Sequence, residues 1–180
     1  MHLLSRSPRS RLAGLMTVVA LTAAACGGGG DGAPAGAPTD AGPSTVADVL
    51  DRGSPLDGSA VDAVALGAGP TVAWFWAPWC TICRAEAPGI AEVAERYADQ
   101  VTVFGVPGRG DQGSMERFVD DTGTDALLHL ADLDGSIWAS FGIFAQPAFA
   151  FIGADGSVEV VVGSLGRDGL ATRIDALLGA

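Results

Sequence analysis

Six consecutive uncharged residues, Thr71-Val-Ala-Trp-Phe-Trp76, run straight into Ala-Pro-Trp-Cys-Thr-Ile-Cys83 and then into a charged, alanine-rich segment. No other stretch limits the possible folds as strongly. A run of this length after the breaker Gly69-Pro70 suits a strand in mid-sheet with both faces covered, because neither face carries a group that needs water. After the cysteines, Ile82, Ala85, Ile90, Val93, Ala94 and Tyr97 recur at helical spacing. This predicts a helix over 81–99, with Pro88 removing a backbone donor and kinking it. A pair of cysteines therefore sits where a buried strand becomes a helix. Such a pair can bind a metal, lock a loop or shuttle electrons.

The rest of the chain continues the alternation. Before the strand, VADVL (46–50) and SAVDAVAL (59–66) read as short edge structure around the turn signals Ser54-Pro55 and Asp57-Gly58. After the helix, VTVFGV (101–106) is a second apolar strand, and 113–121 a second helix with Met115, Phe118 and Val119 inward. A short helix is expected over 135–141. Strands follow at 148–152 and 158–162, joined by the hairpin signal Asp155-Gly156. The last element is an amphipathic helix over 167–178, with Leu170, Ile174, Leu177 and Leu178 on one face. Strands linked through a helix run parallel and a hairpin runs antiparallel, so the sheet is mixed, in an α/β layout without internal repeats.

The start of the chain reads differently. Arg6, Arg9 and Arg11 precede an uncharged run from Leu12 to Ala25, too short to cross a bilayer comfortably, which closes on Ala23, Ala24 and Ala25. Residues 1–25 therefore read as a secretory leader. Cys26 follows at once, in a pattern that resembles a bacterial lipoprotein signal, although Ala23 stands where that pattern usually has leucine. The resemblance implies lipid attachment at Cys26; the alternative is a plain secretory cut near Ala25. The Gly, Ala, Pro and Asp of residues 26–45 read as a flexible tether, leaving 46–180 as the folded domain.

Lipidation of Cys26 leaves one pair among the three cysteines, Cys80 and Cys83. No second pair completes a four-thiolate zinc site. His2 leaves with the leader, and His129, in the apolar run LLHLAD, reads as a core or edge residue, so no metal site is expected. Losing the leader removes three arginines and no acids, which takes the net charge from −11 to −14. That surface repels phosphate and argues against a nucleic-acid partner.

The segment Phe75 to Cys83 resembles the active-site segment of thioredoxin-fold oxidoreductases, in which strand, Trp-Cys-x-x-Cys and helix follow one another. Pro88 matches that superfamily's helix-kinking proline. Gln146-Pro147 before AFAFI matches the loop whose proline is cis and faces the disulfide. The segment ADLDGSIWASFGI and the Asp-Gly hairpin resemble the TlpA/ResA/DsbE branch, and Trp-Phe-Trp-x-Pro-Trp-Cys with Glu-Ala-Pro resembles its mycobacterial secreted DsbE/DsbF type. The resemblance covers roughly residues 46–180.

It implies a thioredoxin-like fold with a redox-active Cys80–Cys83 disulfide and no further cofactor. Cys80 is the expected nucleophile, near the start of the helix where free N–H groups and the helix dipole favour a thiolate, and Cys83 is the resolving thiol. Trp79 is expected to shield the pair, or else only to pack on the surface. Thr81 and Ile82 fill the intervening positions. Arg84, one turn beyond Cys80, reads as solvated. Trp74 stands where thioredoxins carry a buried aspartate. Glu86 matches an acid that the ResA branch keeps near its cysteines and is a candidate proton acceptor for Cys83, the alternative being an exposed helix glutamate. Gln146 and Pro147 would face an incoming peptide.

The expected activity is extracytoplasmic thiol–disulfide exchange serving oxidative folding. Reduced secreted proteins would be the substrates, a membrane redox partner would recycle the enzyme, and it would work as a monomer anchored to the membrane by its lipid. The alternatives are a membrane-anchored reductase of the cytochrome c maturation type and a redox-inert or copper-binding module. A peroxidase would need threonine three residues before the nucleophile, where this chain has Ala77.

Overall fold

The computed structural model describes residues 45–179. The predicted leader, Cys26 and all of the tether except Thr45 lie outside the described residues. In chain order the elements are α1 (Val46–Leu50), β1 (Ser54–Pro55), α2 (Ala63–Gly67), β2 (Thr71–Trp76), α3 (Thr81–Tyr97) and β3 (Thr102–Pro107). Then come α4 (Gln112–Thr122), β4 (Leu130–Ala131), α5 (Ser136–Ser140), β5 (Ala148–Ile152), β6 (Val158–Val162) and α6 (Gly166–Leu178).

Four strands form the central sheet in the order β3-β2-β5-β6. β2 pairs parallel with β3 and antiparallel with β5, and β6 closes the hairpin antiparallel to β5. The sheet is mixed, as expected. All six residues of β2 are buried, and their period of two divides them between two cores. Val72, Trp74 and Trp76 pack with Ile90 and Val93 of α3, Met115 and Phe118 of α4, and Leu170 and Ile174 of α6. Ala73 and Phe75 face the other way, toward Val49, Leu50, Ala63, Leu66, Ile137 and Trp138 of α1, α2 and α5. Full burial of one such large apolar side chain contributes about 2–3 kcal/mol, so β2 anchors both layers.

The expectation of edge structure before β2 is corrected: both segments hold short helices. Thr45 and Asp48 form a capping box, with Thr45 Oγ1 accepting the Asp48 N–H and Asp48 accepting the Thr45 N–H. Asp62 caps α2 by accepting the Val64 and Ala65 N–H groups. Five residues are too few to display a helical period, so the caps were the only signal. The residues of the predicted turn, Ser54 and Pro55, instead pair with Ala131 and Leu130 in a small two-stranded sheet.

His129 lies in the core, bridged to Gly105 beside the edge of β3. Its Nε2 stands 3.0 Å from the Thr124 carbonyl, which only accepts, so Nε2 carries the proton and Nδ1 is bare. The ring meets Trp76 edge-on, with centroids 5.5 Å apart. Only glycine fits at 105, because a Cβ there would lie 2.1 Å from His129 Nδ1 and 2.7 Å from Trp76 Nε1.

Burial holds the His129 pKa below the usual imidazole value of 6.5, against the opposing pull of the Thr124 carbonyl and Asp57. The unfolded chain therefore binds this proton more readily than the folded one. Stability is complete above about pH 6.5 and declines as the pH falls below it. Asp48, Asp57, Asp111, Asp134 and Asp155 have pKa values lowered from 3.8 by hydrogen bonds, so their contributions are lost only in more acidic solution. Urea midpoints of the mature chain should fall between pH 7 and pH 5, and His129→Gln should flatten that slope. A variant that kept the full slope would contradict this account.

Candidate active site

From Trp76 the chain turns through Ala77, Pro78 and Trp79, and the Cys80 N–H donates to the Ala77 carbonyl at 3.0 Å. Cys80 is the N-cap of α3: its backbone is extended (φ −77°, ψ 108°) and its Sγ accepts the Cys83 N–H at 3.1 Å. That donor, with the positive end of a 17-residue helix, favours negative charge on the Cys80 sulfur. Cys80 and Cys83 are joined in a disulfide, with Cα atoms 5.3 Å apart. Cys80 keeps 7% of its surface and Cys83 none. An incoming sulfur therefore reaches Cys80 first.

Register brings a second segment to the same end of the sheet. Ala148 pairs with Phe75, so Gln146 and Pro147 continue alongside the turn that leads to Cys80. The Gln146–Pro147 peptide bond is cis. The loop after β3 arrives there too, with the Gly108 N–H bonded to the Trp76 carbonyl at 3.0 Å. Its next residue, Arg109, was not singled out by sequence reasoning, yet it contacts Trp79, Phe144, Gln146 and Trp138. Trp79 Nε1 donates to the Arg109 carbonyl at 2.9 Å. The guanidinium donates to Gln146 Oε1 at 3.1 Å and to the Phe144 carbonyl at 2.9 Å, and it lies 4.8 Å over the Trp138 ring. Nothing local in Gly-Arg-Gly announces partners 29 to 37 residues away.

The remaining sequence candidates separate. Trp79, Thr81 and Ile82 are exposed beside the disulfide. Trp74 is fully buried. Arg84 is not simply solvated: it pairs with Asp121 of α4 at 3.1 Å and lies 4.8 Å over the Phe118 ring, which stacks on Trp76.

Glu86 is 9% exposed, which overturns the reading of an exposed helix glutamate. Its Oε1 accepts from Ser164 Oγ and, at 2.8 Å, from the Gly166 N–H at the start of α6. Its Oε2 is buried with no hydrogen-bond partner among the described residues. It lies three positions after Cys83, so the two side chains are neighbours on α3. The bare Oε2 is left to accept a hydrogen bond from a donor brought beside it.

Disulfide exchange needs one sulfur that a partner can attack and a second held behind it to leave and return. This chain provides both at the end of a buried strand, and it is a thioredoxin-like thiol–disulfide oxidoreductase. Residues 49–161 match the sequence model of the AhpC/TSA family, and the chain belongs to that family. It is 39% identical over 125 residues to the soluble secreted antigen MPT53 of Mycobacterium tuberculosis, covering 68% of this chain and 71% of that protein. It is 27% identical over 114 residues to the thiol:disulfide interchange protein DsbE of Pseudomonas fluorescens, covering 61% and 62%. Among solved structures, MTB DsbF is 40% identical with a TM-score of 0.69 over 74% of this chain and 99% of that one. A secreted M. tuberculosis disulfide oxidoreductase homologous to E. coli DsbE is 37% identical, with a TM-score of 0.62 over 70% and 98%. No metal-holding group of His, Cys, Asp or Glu is found among the described residues.

The Glu86 contacts predict a stability effect. Glu86→Ala strips the acceptor from Ser164 and from the Gly166 N–H and should cost about 2–3 kcal/mol, read as a lower urea midpoint. Glu86→Gln keeps an acceptor oxygen and should cost clearly less. Equal losses in the two variants would contradict the assignment.

Proposed function

We propose that the protein acts outside the cytoplasm as a monomeric oxidant of secreted polypeptides, held at the cell membrane by a lipid on Cys26. The observation that carries this reading is the Cys80–Cys83 pair with only Cys80 accessible. A substrate thiolate attacks Cys80 Sγ, the Cys80–Cys83 bond breaks, and its electron pair leaves on Cys83. A second substrate thiolate then attacks the substrate sulfur of the mixed disulfide, and Cys80 leaves as a thiolate. The substrate gains a disulfide and gives up two electrons, and the protein ends as a dithiol. A membrane redox partner reoxidises it. The leader read from residues 1–25 supports the compartment, because dithiols outside the cytoplasm are commonly held oxidised.

Glu86 manages the Cys83 proton. It donates to Cys83 as that sulfur leaves, and it takes the proton back when Cys83 attacks a mixed disulfide. The buried, unpartnered Oε2 supports this role. The same observation favours a second reading, a membrane-anchored reductase, since reductive turnover depends on activating Cys83 for attack. Trp79, Thr81, Ile82 and Gln146 form the substrate-facing rim, with Pro147 buried behind Gln146.

The reduction potential of the Cys80–Cys83 couple separates the two directions. A value near that of periplasmic oxidants, about −120 mV, fits the oxidant; one near thioredoxin's, about −270 mV, sinks it in favour of the reductase. Cys80→Ser should abolish exchange, and full activity in that variant would defeat both readings. Glu86→Gln should slow release of a preformed mixed disulfide by roughly 100-fold. An unaltered release rate would remove Glu86 from the mechanism. Mass spectrometry of the mature N-terminus tests the lipid.

A further inference from the structure

Arg109 is the one non-glycine among the described residues with positive φ, at 57°. It sits between Gly108 and Gly110, in a conformation that glycine adopts freely and a side chain resists. Its contacts explain why an arginine is held there. A flat fork of donors can reach Gln146 Oε1 and the Phe144 carbonyl together while its face rests on Trp138. The carbonyl of the same residue fixes the Trp79 indole.

What Arg109 joins is the apolar rim of the disulfide, where Trp79 is 60% exposed and Phe144 73%. Because Gln146 turns its carbonyl oxygen to Arg109, its NH2 donors are left for another group. The backbone N–H and C=O of Gln146 make no backbone hydrogen bond among the described residues. Exposed rings beside an unpaired stretch of backbone suit an extended, partly apolar polypeptide added as a strand.

We propose that Arg109 is a positioning residue for polypeptide substrates, holding Trp79, Phe144 and Gln146 as one docking surface without taking part in electron transfer. The inference rests on the exchange chemistry of Cys80 and Cys83 and is independent of its direction.

The test is single-turnover reduction of the Cys80–Cys83 disulfide in the mature protein. Two reductants are compared: dithiothreitol, and a short peptide carrying two cysteines among valines and phenylalanines. Arg109→Gly, which suits the local backbone, should raise the half-saturating peptide concentration about tenfold while the dithiothreitol rate stays within about twofold. Arg109→Lys, which keeps the charge and loses the fork, should behave as Arg109→Gly does. Equal slowing with both reductants, unchanged peptide saturation, or full recovery by lysine would each overturn the proposal. If neither reductant opens the wild-type disulfide, the exchange chemistry itself falls and this inference falls with it.

Discussion

Strand β2 meets no solvent on either face and has a paired strand on each edge. Everything at the site is placed by that burial. With both faces packed, slippage by one residue would exchange Trp74 and Trp76 with Phe75 between two differently shaped cores, so the register is firmly set. Cys80 therefore emerges at one fixed height above the sheet. Pairing with β3 and β5 delivers the other two loops to the same end. The Arg109 network adds only the last adjustment, which explains how a residue in a strained conformation can be tolerated there.

Charge around the pair is arranged by what holds each group. The chain is strongly acidic, with a net charge of −11, yet two arginines of this region are held elsewhere: Arg84 by Asp121 and Phe118, and Arg109 by Gln146 and the Phe144 carbonyl. Stabilisation of a Cys80 thiolate rests on the Cys83 N–H and the helix N-terminus. Behind it, Glu86 is the one buried acid on α3.

The sequence displayed the features that repeat within one element. The apolar run of β2, the period of α3 and the Asp-Gly hairpin are local patterns, and the central sheet and the cysteine pair followed from them. Features made between distant segments were not legible. Glu86 looks like any helix glutamate until residues 164–166 fold over it, and Arg109 looks like part of a loop until residues 144–146 reach it. The helices α1 and α2 failed for a different reason. They are a little over one turn each, and a period cannot be read from one cycle.

The C-terminal helix has a consequence of its own. α6 is tied to α3 by Glu86, by the Tyr97 hydroxyl donating to Asp175 at 2.7 Å, and by the Arg167–Glu92 pair. Leu170 and Ile174 fill the core beneath β2. The end of the chain is thus no dispensable tail. A cut that removed residues 164–180 would take away both hydrogen-bond partners of Glu86 and the Leu170 and Ile174 packing beneath β2, although it falls some eighty residues from the cysteines in sequence.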